Sequence, residues 1–316
     1  MRNIFKNTNH LHFIGIGGIG MSGMAELLFN HGFTISGSDI NESERIKYLK
    51  KCGLNIFNTH DKNNINKCDL IIYSSAINID NPEIKEGNKK NIPIIKRAEL
   101  LGELIRVKKI SIAVSGTHGK TTTSSMIGSI LHEASLDPTL IIGGIVNKFK
   151  SNNISGSGDI IVVEADEFDR SFLSLRPTYS IINNLDLEHL DCYENLESLQ
   201  ETFLNFANFI PFYGKIIINN DCKNLNLIIN KVNRQKRTFG INNKSDVMAN
   251  NISYSHNTSN FDIINNYKDS IKINLNSPGK HNIYNALAAA TICIELKISL
   301  KIIKNGLEKY LGVKRR

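Results

Sequence analysis

Short runs of β-branched residues alternate with stretches of helical character, and this alternation limits the fold more than any other feature of the chain. Over the first hundred residues the pattern predicts strands at 12–15, 34–36, 70–73 and 92–95, and helices at 19–31, 44–51 and 98–106. Strands that alternate with helices form a mostly parallel sheet covered by helices. The sequence therefore predicts an α/β fold that begins with a Rossmann-like parallel-sheet domain.

A second α/β series follows the basic residues 106–109. The pattern predicts strands at 110–114, 140–142, 160–164, 180–183 and 215–219, and helices at 120–133, 196–209, 281–295 and 300–310. The Asn-rich segment 245–275 is partly alternating, which predicts antiparallel strands or hairpins at a solvated edge. We therefore place a domain boundary near residue 108, with an N-terminal domain over 1–108 and a central domain over 109–311.

Composition argues against several classes of protein. The 38 Lys and Arg residues exceed the 30 Asp and Glu residues by 8, but they are scattered and do not cluster with aromatic residues, so a nucleic-acid partner is not expected. An anionic small-molecule substrate accounts for the charge equally well, as does a biased usage of Lys, Asn and Ile. No apolar stretch approaches the roughly 18 to 20 residues that span a bilayer, and the first residues lack a signal-peptide layout. We therefore expect no stable membrane association.

The cysteines indicate the cellular compartment. The sequence has 5 of them, scattered and never in C-x-x-C spacing. This arrangement predicts neither a disulfide framework nor a zinc site, but reduced thiols. We therefore expect a cytoplasmic protein.

A first glycine cluster, residues 15–20 (GIGGIG), lies between a predicted strand and a predicted helix. Backbone N–H groups and the helix dipole can hold a diphosphate there, so Gly17, Gly18 and Gly20 are candidate binding residues. Asp39 follows at the end of the second strand, where an acid can accept a ribose hydroxyl. The cluster alone predicts a dinucleotide or nucleotide, with NAD the obvious candidate, and a tight turn without a ligand is the alternative.

A second glycine cluster, residues 116–122 (GTHGKTT), directly follows a strand and opens a helix. Lys120 would neutralise the β- and γ-phosphate oxygens of a nucleotide, and Thr121 would offer a hydroxyl to Mg²⁺. Val114 stands where the first glycine of the strict phosphate-loop motif belongs, which implies a shorter loop. A chance Gly-Lys-Thr at a helix start is the alternative.

Two phosphate-binding turns in successive domains favour an ATP-dependent enzyme that acts on a nucleotide-bearing substrate over a dehydrogenase, which needs no γ-phosphate machinery. Acidic residues that can hold Mg²⁺ follow two later strands, in residues 164–167 (EADE) and 188–191 (EHLD). A histidine such as His189 can join such a site. For Asp166, Asp169, Asp186 and Asp191, solvation in a loop is at least as good an explanation.

Four segments together resemble the Mur ligases of peptidoglycan synthesis, in order and over essentially the whole chain. They are 116–121 (GTHGKT), 164–173 (EADEFDRSFL), 184–193 (NLDLEHLDCY) and 279–286 (GKHNIYNA). Four further segments make the resemblance to one group of these ligases more specific. They are 15–26 (GIGGIGMSGMAE), 74–77 (SSAI), 97–99 (RAE) and 312–316 (GVKRR). The resemblance implies UDP-N-acetylmuramate and L-alanine as substrates and ATP with Mg²⁺ as cofactors. In the reaction it implies, ATP phosphorylates the lactyl carboxylate of the UDP-sugar, and the amine attacks the acyl phosphate to form an amide.

The resemblance also assigns expected roles to residues of this sequence. The catalytic residues would be His118, Lys120, Glu164 and His189, and the Mg²⁺ ligands Thr121, Glu164 and His189. ATP would be bound by Gly116, Thr117, Gly119, Lys120, Thr121, Thr122, Asn282 and Asn285, with the two asparagines at the adenine. The UDP-sugar would be bound by Gly17, Gly18, Gly20 and Asp39, with Ser74 and Ser75.

The sequence ends where family members begin a third domain that receives the amino acid. Residues 312–316 would be the stub of that domain, and Arg316 aligns with a hinge arginine expected near the phosphates. The expectation is an incomplete enzyme, whose missing domain reflects a fragment, a separately encoded polypeptide or a decaying gene. The alternatives are a module that binds UDP-sugar and ATP without turnover and, on the first glycine cluster alone, an NAD-dependent oxidoreductase. We expect the chain by itself to bind nucleotides without L-alanine-dependent phosphate release.

Overall fold

A computed structural model describes residues 5, 7–146, 151–186, 193–266 and 269–314 of the chain. They form two compact units, Met1–Val107 and Lys108–Arg316. Among the described residues, no helix is both long enough and apolar enough to cross a membrane. Each unit is built on its own sheet, and the α/β fold class is confirmed.

The first unit is a parallel sheet with helices between its strands. Its described strands are β1 (His10–Ile14), β2 (Thr34–Ser38), β3 (Asn55–Phe57), β4 (Leu70–Tyr73) and β5 (Ile94–Lys96), in the spatial order β3-β2-β1-β4-β5. Its described helices are α1 (Ile19–Asn30), α2 (Glu44–Lys51), α3 (Pro82–Lys89) and α4 (Arg97–Ile105), with a 3₁₀ turn at Lys62–Ile65. Strand order reverses between β1 and β4. In open α/β sheets, ligands bind outside the carboxyl ends of the strands at such a reversal.

The second unit is a larger mixed sheet. Its described strands are β6 (Ile110–Ser115), β7 (Thr139–Val146), β8 (Ser151–Ile154), β9 (Ile160–Glu164), β10 (Tyr179–Ile182), β11 (Lys215–Asn219), β12 (Gln235–Gly240), β13 (Val247–Tyr254), β14 (Ser259–Asn265), β15 (Ser270–Leu275) and β16 (Val313–Lys314). Their order is β15-β14-β13-β12-β11-β10-β6-β9-β7-β16, and β8 pairs with β7. Strand β6 is parallel to both its neighbours, β9 and β10. The carboxyl end of β6 therefore lies beside those of β9 and β10.

Helices cover this sheet and fix the position of the turn after β6. They are α5 (Lys120–Glu133), α6 (Leu196–Asn208), α7 (Lys223–Asn226), α8 (Lys280–Glu295) and α9 (Leu300–Glu308), with 3₁₀ turns at Phe168–Ser174 and Ile229–Lys231. Helices α5 and α9 pack at backbone distance, because a Cβ added to Gly306 would lie 2.5 Å from Cα of Ile130. The Ser129 hydroxyl also donates to the Gly306 carbonyl at 2.7 Å. This packing anchors α5, the helix that carries the second glycine cluster at its start.

The structure confirms the antiparallel strands predicted in the Asn-rich segment, since β13, β14 and β15 pair antiparallel at one end of the sheet. Several other elements were missed, among them the strands Asn55–Phe57 and Gln235–Gly240 and the helix Pro82–Lys89. The two strands are short or rich in charged residues, and helix α3 buries little apolar surface beyond Ile84. Its start was nevertheless encoded locally, because Asn81 caps the Glu83 N–H and Pro82 occupies the first turn.

Candidate functional site

The turn between β6 and α5 requires its glycines. Gly116 has a φ of 125° and Gly119 a φ of 80°, a region that side chains with a Cβ rarely adopt. A Cβ at Gly119 would also lie 2.3 Å from Oδ1 of Asn285 in α8. The turn therefore presents bare backbone at the start of a fourteen-residue helix, where N–H groups and the helix dipole favour phosphate.

Lys120 is the first residue of α5, and its side chain is only 4% exposed. Its ammonium donates to the Gly116 carbonyl at 2.8 Å and to both carboxylate oxygens of Glu167, at 2.7 and 3.0 Å. Glu167 is itself buried, and the Tyr193 hydroxyl donates to its backbone carbonyl at 2.6 Å. The cation is thus held inside the turn by a buried carboxylate. Removing one partner of such a pair leaves an uncompensated buried charge.

The segment after β10 also forms hydrogen bonds to the turn between β6 and α5. The Thr117 hydroxyl donates to the Asp186 carbonyl at 3.1 Å and accepts from the Asp186 N–H at 2.9 Å. The backbone N–H of His118 donates to Oδ1 of Asn184 at 2.8 Å, and the Asn184 amide returns a bond to the His118 carbonyl. The Thr117 side chain is therefore occupied in shaping the turn, while the His118 residue is exposed.

A cleft of about 790 Å³ opens beside this turn. Its lining is dominated by carboxamides and other polar groups. These are His118, Gly119, Thr122, Asn183, Asn184, Asp186, Asn219, Asp221, Cys222, Lys223, Asn224, His281, Asn282, Tyr284 and Asn285. A second cavity of about 240 Å³ is lined by residues 117–122 and Val313. The structure thus brings Asn282 and Asn285 to the same cleft as the turn, as the resemblance implies.

One wall of the cleft contains an acceptor without a partner. Asn183 is 4% exposed, and its amide donates to the Thr123 hydroxyl at 3.0 Å. Within the described residues its Oδ1 accepts no hydrogen bond. Buried polar atoms are nearly always satisfied, so an unpaired acceptor in a cleft wall indicates a place for a ligand or a water molecule.

The part of the cleft lining that follows β11 is organised by Asp221. Its carboxylate accepts backbone N–H groups from Ile241, Asn242 and Asn243 at 2.6 to 2.9 Å, and the Tyr284 hydroxyl at 2.8 Å. Burial by itself would raise the pKa of Asp221, but these hydrogen bonds outweigh it and lower the pKa below the ordinary value. Burial, together with the bond to Asp221, raises the pKa of Tyr284. The pair is therefore an ionised carboxylate and a neutral phenol.

Two of the three residues expected to hold Mg²⁺ lie in the described part of the chain. Glu164 ends β9 opposite Val114 of β6, and its Oε1 accepts the Gly143 N–H at 2.8 Å. Thr121 lies in the first turn of α5. Hydroxyl and carboxylate oxygens are the donors that Mg²⁺ prefers, so both residues fit that ion. His189, with Glu188 and Asp191, lies outside the described residues. Within the described ranges, no three His, Cys, Asp or Glu residues form a metal-binding group.

The glycine turn of the first unit follows β1 and is held by β2. Gly15 and Ile16 donate their N–H groups to the Ser38 carbonyl, at 2.8 and 3.1 Å. Gly17 donates to Oδ2 of Asp39 at 2.8 Å, and the other oxygen of Asp39 accepts the Asn41 N–H at 3.0 Å. Asp39 thus braces the turn, a use of its carboxylate that the sequence did not indicate.

The end of β4 and the start of α4 approach this turn. A Cβ added to Gly15 would lie 3.4 Å from Cβ of Ser74, and the neighbouring Ser75 is exposed. A Cβ at Gly20 would lie 3.1 Å from a terminal guanidinium nitrogen of Arg97, the first residue of α4. A cation therefore lies at the start of α1, at the strand-order reversal.

Sequence reasoning missed the roles of four residues of these sites: Arg97, Glu167, Asn183 and Asp221. Arg97 and Glu167 stand inside segments that carried the resemblance, but Arg97 was assigned no binding role, and Glu167 was considered only as one of the acids that can hold Mg²⁺. Asn183 and Asp221 follow β10 and β11, so their positions at strand ends were a usable signal.

Comparison with known proteins gives consistent matches over both units. Residues 10–109 match the model described as Mur ligase family, catalytic domain, and residues 114–293 match the Mur ligase middle domain. The chain is 45% identical to UDP-N-acetylmuramate--L-alanine ligases of Persephonella marina and Aquifex aeolicus. In both comparisons 98% of this chain is aligned, with 66% and 68% of the respective relative. The chain thus spans about two thirds of the length of these relatives.

Solved structures give the same result. The UDP-N-acetylmuramate-alanine ligase of Thermotoga maritima matches with a TM-score of 0.85 and 32% identity, over 97% of this chain and 70% of that one. A murein peptide ligase of Psychrobacter arcticus matches with a TM-score of 0.85 and 27% identity, over 97% of this chain and 69% of that one. The two sheets, their glycine turns and these matches agree, and the chain belongs to the Mur ligase family.

Proposed function

We propose that this chain binds UDP-N-acetylmuramate in its first unit and ATP with Mg²⁺ in its second, and acts in the ATP-dependent joining of L-alanine to UDP-N-acetylmuramate in peptidoglycan biosynthesis. The relatives that carry this name support the choice of substrates. The observation that carries the proposal is the Lys120 ammonium, buried inside a glycine turn at the start of α5 and beside a polar cleft. We retain 1–108 and 109–311 as the limits of the two domains.

The second unit offers what phosphoryl transfer needs, which is positioning and charge neutralisation. Gly116 and Gly119 leave room for phosphate against the backbone, and Lys120 is aimed by Glu167 before any ligand arrives. Thr121 and Glu164 would hold Mg²⁺, with His189 as the third ligand that the resemblance implies. When bound, that ion would neutralise charge on the phosphate oxygens. The exposed His118 would face the lactyl carboxylate and stabilise its phosphate.

The carboxamide-lined cleft suits a nucleobase. Carboxamides carry a donor and an acceptor side by side and can match the exocyclic amine and ring nitrogen of adenine. We assign this role to Asn282 and Asn285, and the unpaired Oδ1 of Asn183 offers a further acceptor. Thr122 and Gly119 line the same cleft next to the turn. The base and the phosphates of one ATP molecule would therefore bind to one continuous surface.

The first unit suits a diphosphate that is held and not transferred. Gly18 and Gly20 lie at the start of α1, where the helix dipole favours anions. Arg97 adds a guanidinium over Gly20, and Ser74 and Ser75 follow the adjacent strand. Gly17 is fixed by Asp39, whose remaining lone pairs would accept a ribose hydroxyl. This set provides the binding groups for UDP without any γ-phosphate machinery.

The described cysteines fit a reducing compartment. Cys52, Cys68, Cys222 and Cys293 are all free thiols. ATP and UDP-sugars are substrates of the cell interior, so we place the protein in the cytoplasm. Disulfides are rare in that environment.

Calorimetric titration of the whole chain tests the proposal. We expect separate saturable heats for UDP-N-acetylmuramate and for ATP with Mg²⁺, and none of comparable affinity for NAD. Phosphate release measured with and without L-alanine then separates a ligase from a module that only binds. Tighter binding of NAD than of the UDP-sugar would overturn the assignment of the first unit.

A further inference from the structure

One face of the first unit's sheet carries a stripe of polar residues. His10 and His12 alternate along β1 with apolar residues, and Ser36 and Ser38 do so along β2 beside them. His12, Ser36 and Ser38 are each at most 2% exposed. Strands of parallel sheets are usually apolar on both faces, so buried polar residues here require a specific account.

The stripe ends on a buried carboxylate. Glu83, in the first turn of α3, is 0% exposed. Its Oε1 accepts from the Asn64 amide at 2.8 Å and faces Nε2 of His12 at 3.2 Å. Its Oε2 accepts the Ser38 hydroxyl at 2.7 Å and faces Nδ1 of His60 at 2.9 Å. Burial would raise the pKa of Glu83, but the hydrogen bonds from His12, Ser38 and Asn64 outweigh it and lower the pKa.

The hydrogen bonds along the stripe fix how many protons it holds. Nδ1 of His10 lies 3.0 Å from the Lys67 carbonyl, which can only accept, so this nitrogen carries a proton. Nε2 of His12 faces the Glu83 carboxylate and carries one for the same reason. The remaining nitrogens, Nε2 of His10 and Nδ1 of His12, both lie 2.8 Å from the single hydroxyl of Ser36.

A serine hydroxyl donates one proton, so it can satisfy only one of these two nitrogens as an acceptor. The other nitrogen must itself be protonated to bond to Ser36. The four contacts therefore hold one proton more than two neutral imidazoles, one hydroxyl and an ionised carboxylate supply, and because the pKa of Glu83 is lowered, we assign this proton to His10 or His12. Its positive charge balances the buried Glu83 carboxylate, so the hydrogen-bonded row from His10 to Glu83 is neutral overall, and buried charges are tolerated when they are paired in this way.

The carboxylate end of the stripe is connected to the glycine turn through Ser38. Ser38 donates its hydroxyl to Glu83, while its backbone carbonyl accepts the N–H groups of Gly15 and Ile16. The next residue, Asp39, accepts the N–H of Gly17. The geometry of the turn thus depends on the end of β2, and the end of β2 is bonded to Glu83.

We propose that Glu83 is a positioning residue for the first unit's ligand, and that a proton shared by His10 and His12 through Ser36 keeps it in place. Loss of that proton leaves the carboxylate uncompensated and loosens the end of β2 beneath the glycine turn. The ligand part of this inference rests on the proposed function, whereas the shared proton does not.

Other groups face the stripe from every packed element. His60 and Asn64 approach from the segment after β3, and the Phe57 ring lies 6.4 Å from that of His12. At the His10 end, Asp69 accepts the N–H of His10 at 2.9 Å. Cys68 precedes Asp69 in the sequence, and the charges of Asp69, Lys90 and Glu83 all act on its thiol. His60 needs only one proton for its bond to Glu83, so these groups do not change the proton count.

Imidazole ¹⁵N NMR of the whole chain tests the shared proton directly. At pH ~7.5 a free imidazole is mostly neutral, yet we expect the His10 and His12 signals together to show one imidazolium. In Glu83→Gln we expect both rings to become singly protonated. The control is Glu86→Gln on the same helix, which removes a carboxylate paired with exposed Lys89 and Lys90 and should leave the signals unchanged. Two singly protonated rings in the unsubstituted chain would overturn the proposal.

A titration with UDP-N-acetylmuramate tests the positioning role. We expect the affinity of the unsubstituted chain to fall about tenfold as pH rises and the shared proton leaves, and the affinity of Glu83→Gln to be flat over the same range. Identical pH profiles for the two proteins would contradict the positioning role. If the ligand binds at no pH, the proposed function fails, while the NMR result still decides the shared proton.

Discussion

The two units place a glycine turn after the first strand of each sheet, but they arrange charge around it differently. In the first unit a carboxylate, Asp39, accepts an N–H of the turn, and the cation, Arg97, comes from a separate helix. In the second unit the cation, Lys120, belongs to the turn itself and a buried carboxylate, Glu167, aims it. A lysine fixed in advance suits a phosphate that is transferred, whereas a peripheral arginine suits a diphosphate that is only held.

The largest effect is expected from Lys120→Met. It removes the only cation inside the described turn, and a charge-assisted contact of this kind contributes about 1.5–3 kcal/mol, so ATP affinity should fall at least tenfold. It also leaves Glu167 buried without its partner, which should lower the free energy of unfolding by about 3–5 kcal/mol. Calorimetry with ATP and denaturant unfolding measure the two effects.

The double variant Lys120→Met with Glu167→Gln separates the loss of ATP affinity from the loss of stability. It no longer buries the Glu167 charge without the lysine, so stability should largely return while ATP affinity stays low. Lys109→Met is the control, because Lys109 forms an exposed pair with Asp159. Recovery of ATP binding in the double variant would show that the lysine only balances Glu167.

Arg97→Ala probes the glycine turn of the first unit. We expect UDP-N-acetylmuramate affinity to fall about tenfold or more, because one charge-assisted phosphate contact is lost, and ATP affinity to stay unchanged. Arg106→Ala, which removes an exposed arginine paired with Glu103 at the end of the same helix, should change neither. Equal losses from both variants would point to net charge and not to a contact at Gly20.

A smaller effect is expected at the cleft of the second unit. The pKa of Asp221 is lowered in the folded state, so its contribution to stability is present above the ordinary carboxyl pKa and is lost as pH falls through the folded value. Asp221→Asn should therefore cost about 1 kcal/mol at neutral pH. That difference should shrink below pH ~4. Thermal unfolding of both proteins across this range measures it, and a difference that grows on acidification would contradict the account.

The smallest effect is a difference in thiol reactivity. Cys68 and Cys293 are both buried, and burial raises the pKa of Cys68 to about 11 and that of Cys293 further. Cys68 belongs to a small cluster with residues such as Ile65 and Ile71, whereas Cys293 lies in the main core of the second unit. Of Cys52, Cys68 and Cys293, the exposed Cys52 should therefore react with a thiol reagent first, Cys68 next and Cys293 last. Mass spectrometry of timed samples would show the order, and early labelling of Cys293 would contradict it.

Much of the fold was predictable because each unit repeats a strand–turn–helix pattern with strong local signals. Helix α5 begins where the glycines and Lys120 indicate, and Asn282 and Asn285 enter the cleft as the resemblance implies. Helix α3, which was not predicted, shows the limit of hydrophobic periodicity as a signal. Its function is to deliver Glu83 to the sheet, and periodicity detects apolar faces but not one buried carboxylate.

The partners of charged residues were not predictable for a related reason. Glu167 is 47 positions from Lys120 in sequence, and Arg97 is 77 from Gly20. Contacts over such separations depend on how strands pair and helices pack. Segment 164–167 indicated acids near a phosphate site, but only the fold shows that Glu167 bonds to the lysine while Glu164 bonds to Gly143.

We propose that the two glycine turns bind different phosphates independently. A calorimetric titration of one protein sample with UDP-N-acetylmuramate and then with ATP and Mg²⁺, repeated for Lys120→Met and for Arg97→Ala, tests this independence. We expect the lysine variant to lose only ATP binding and the arginine variant only UDP-sugar binding. Loss of both ligands from either variant, or displacement of one ligand by the other, would contradict it.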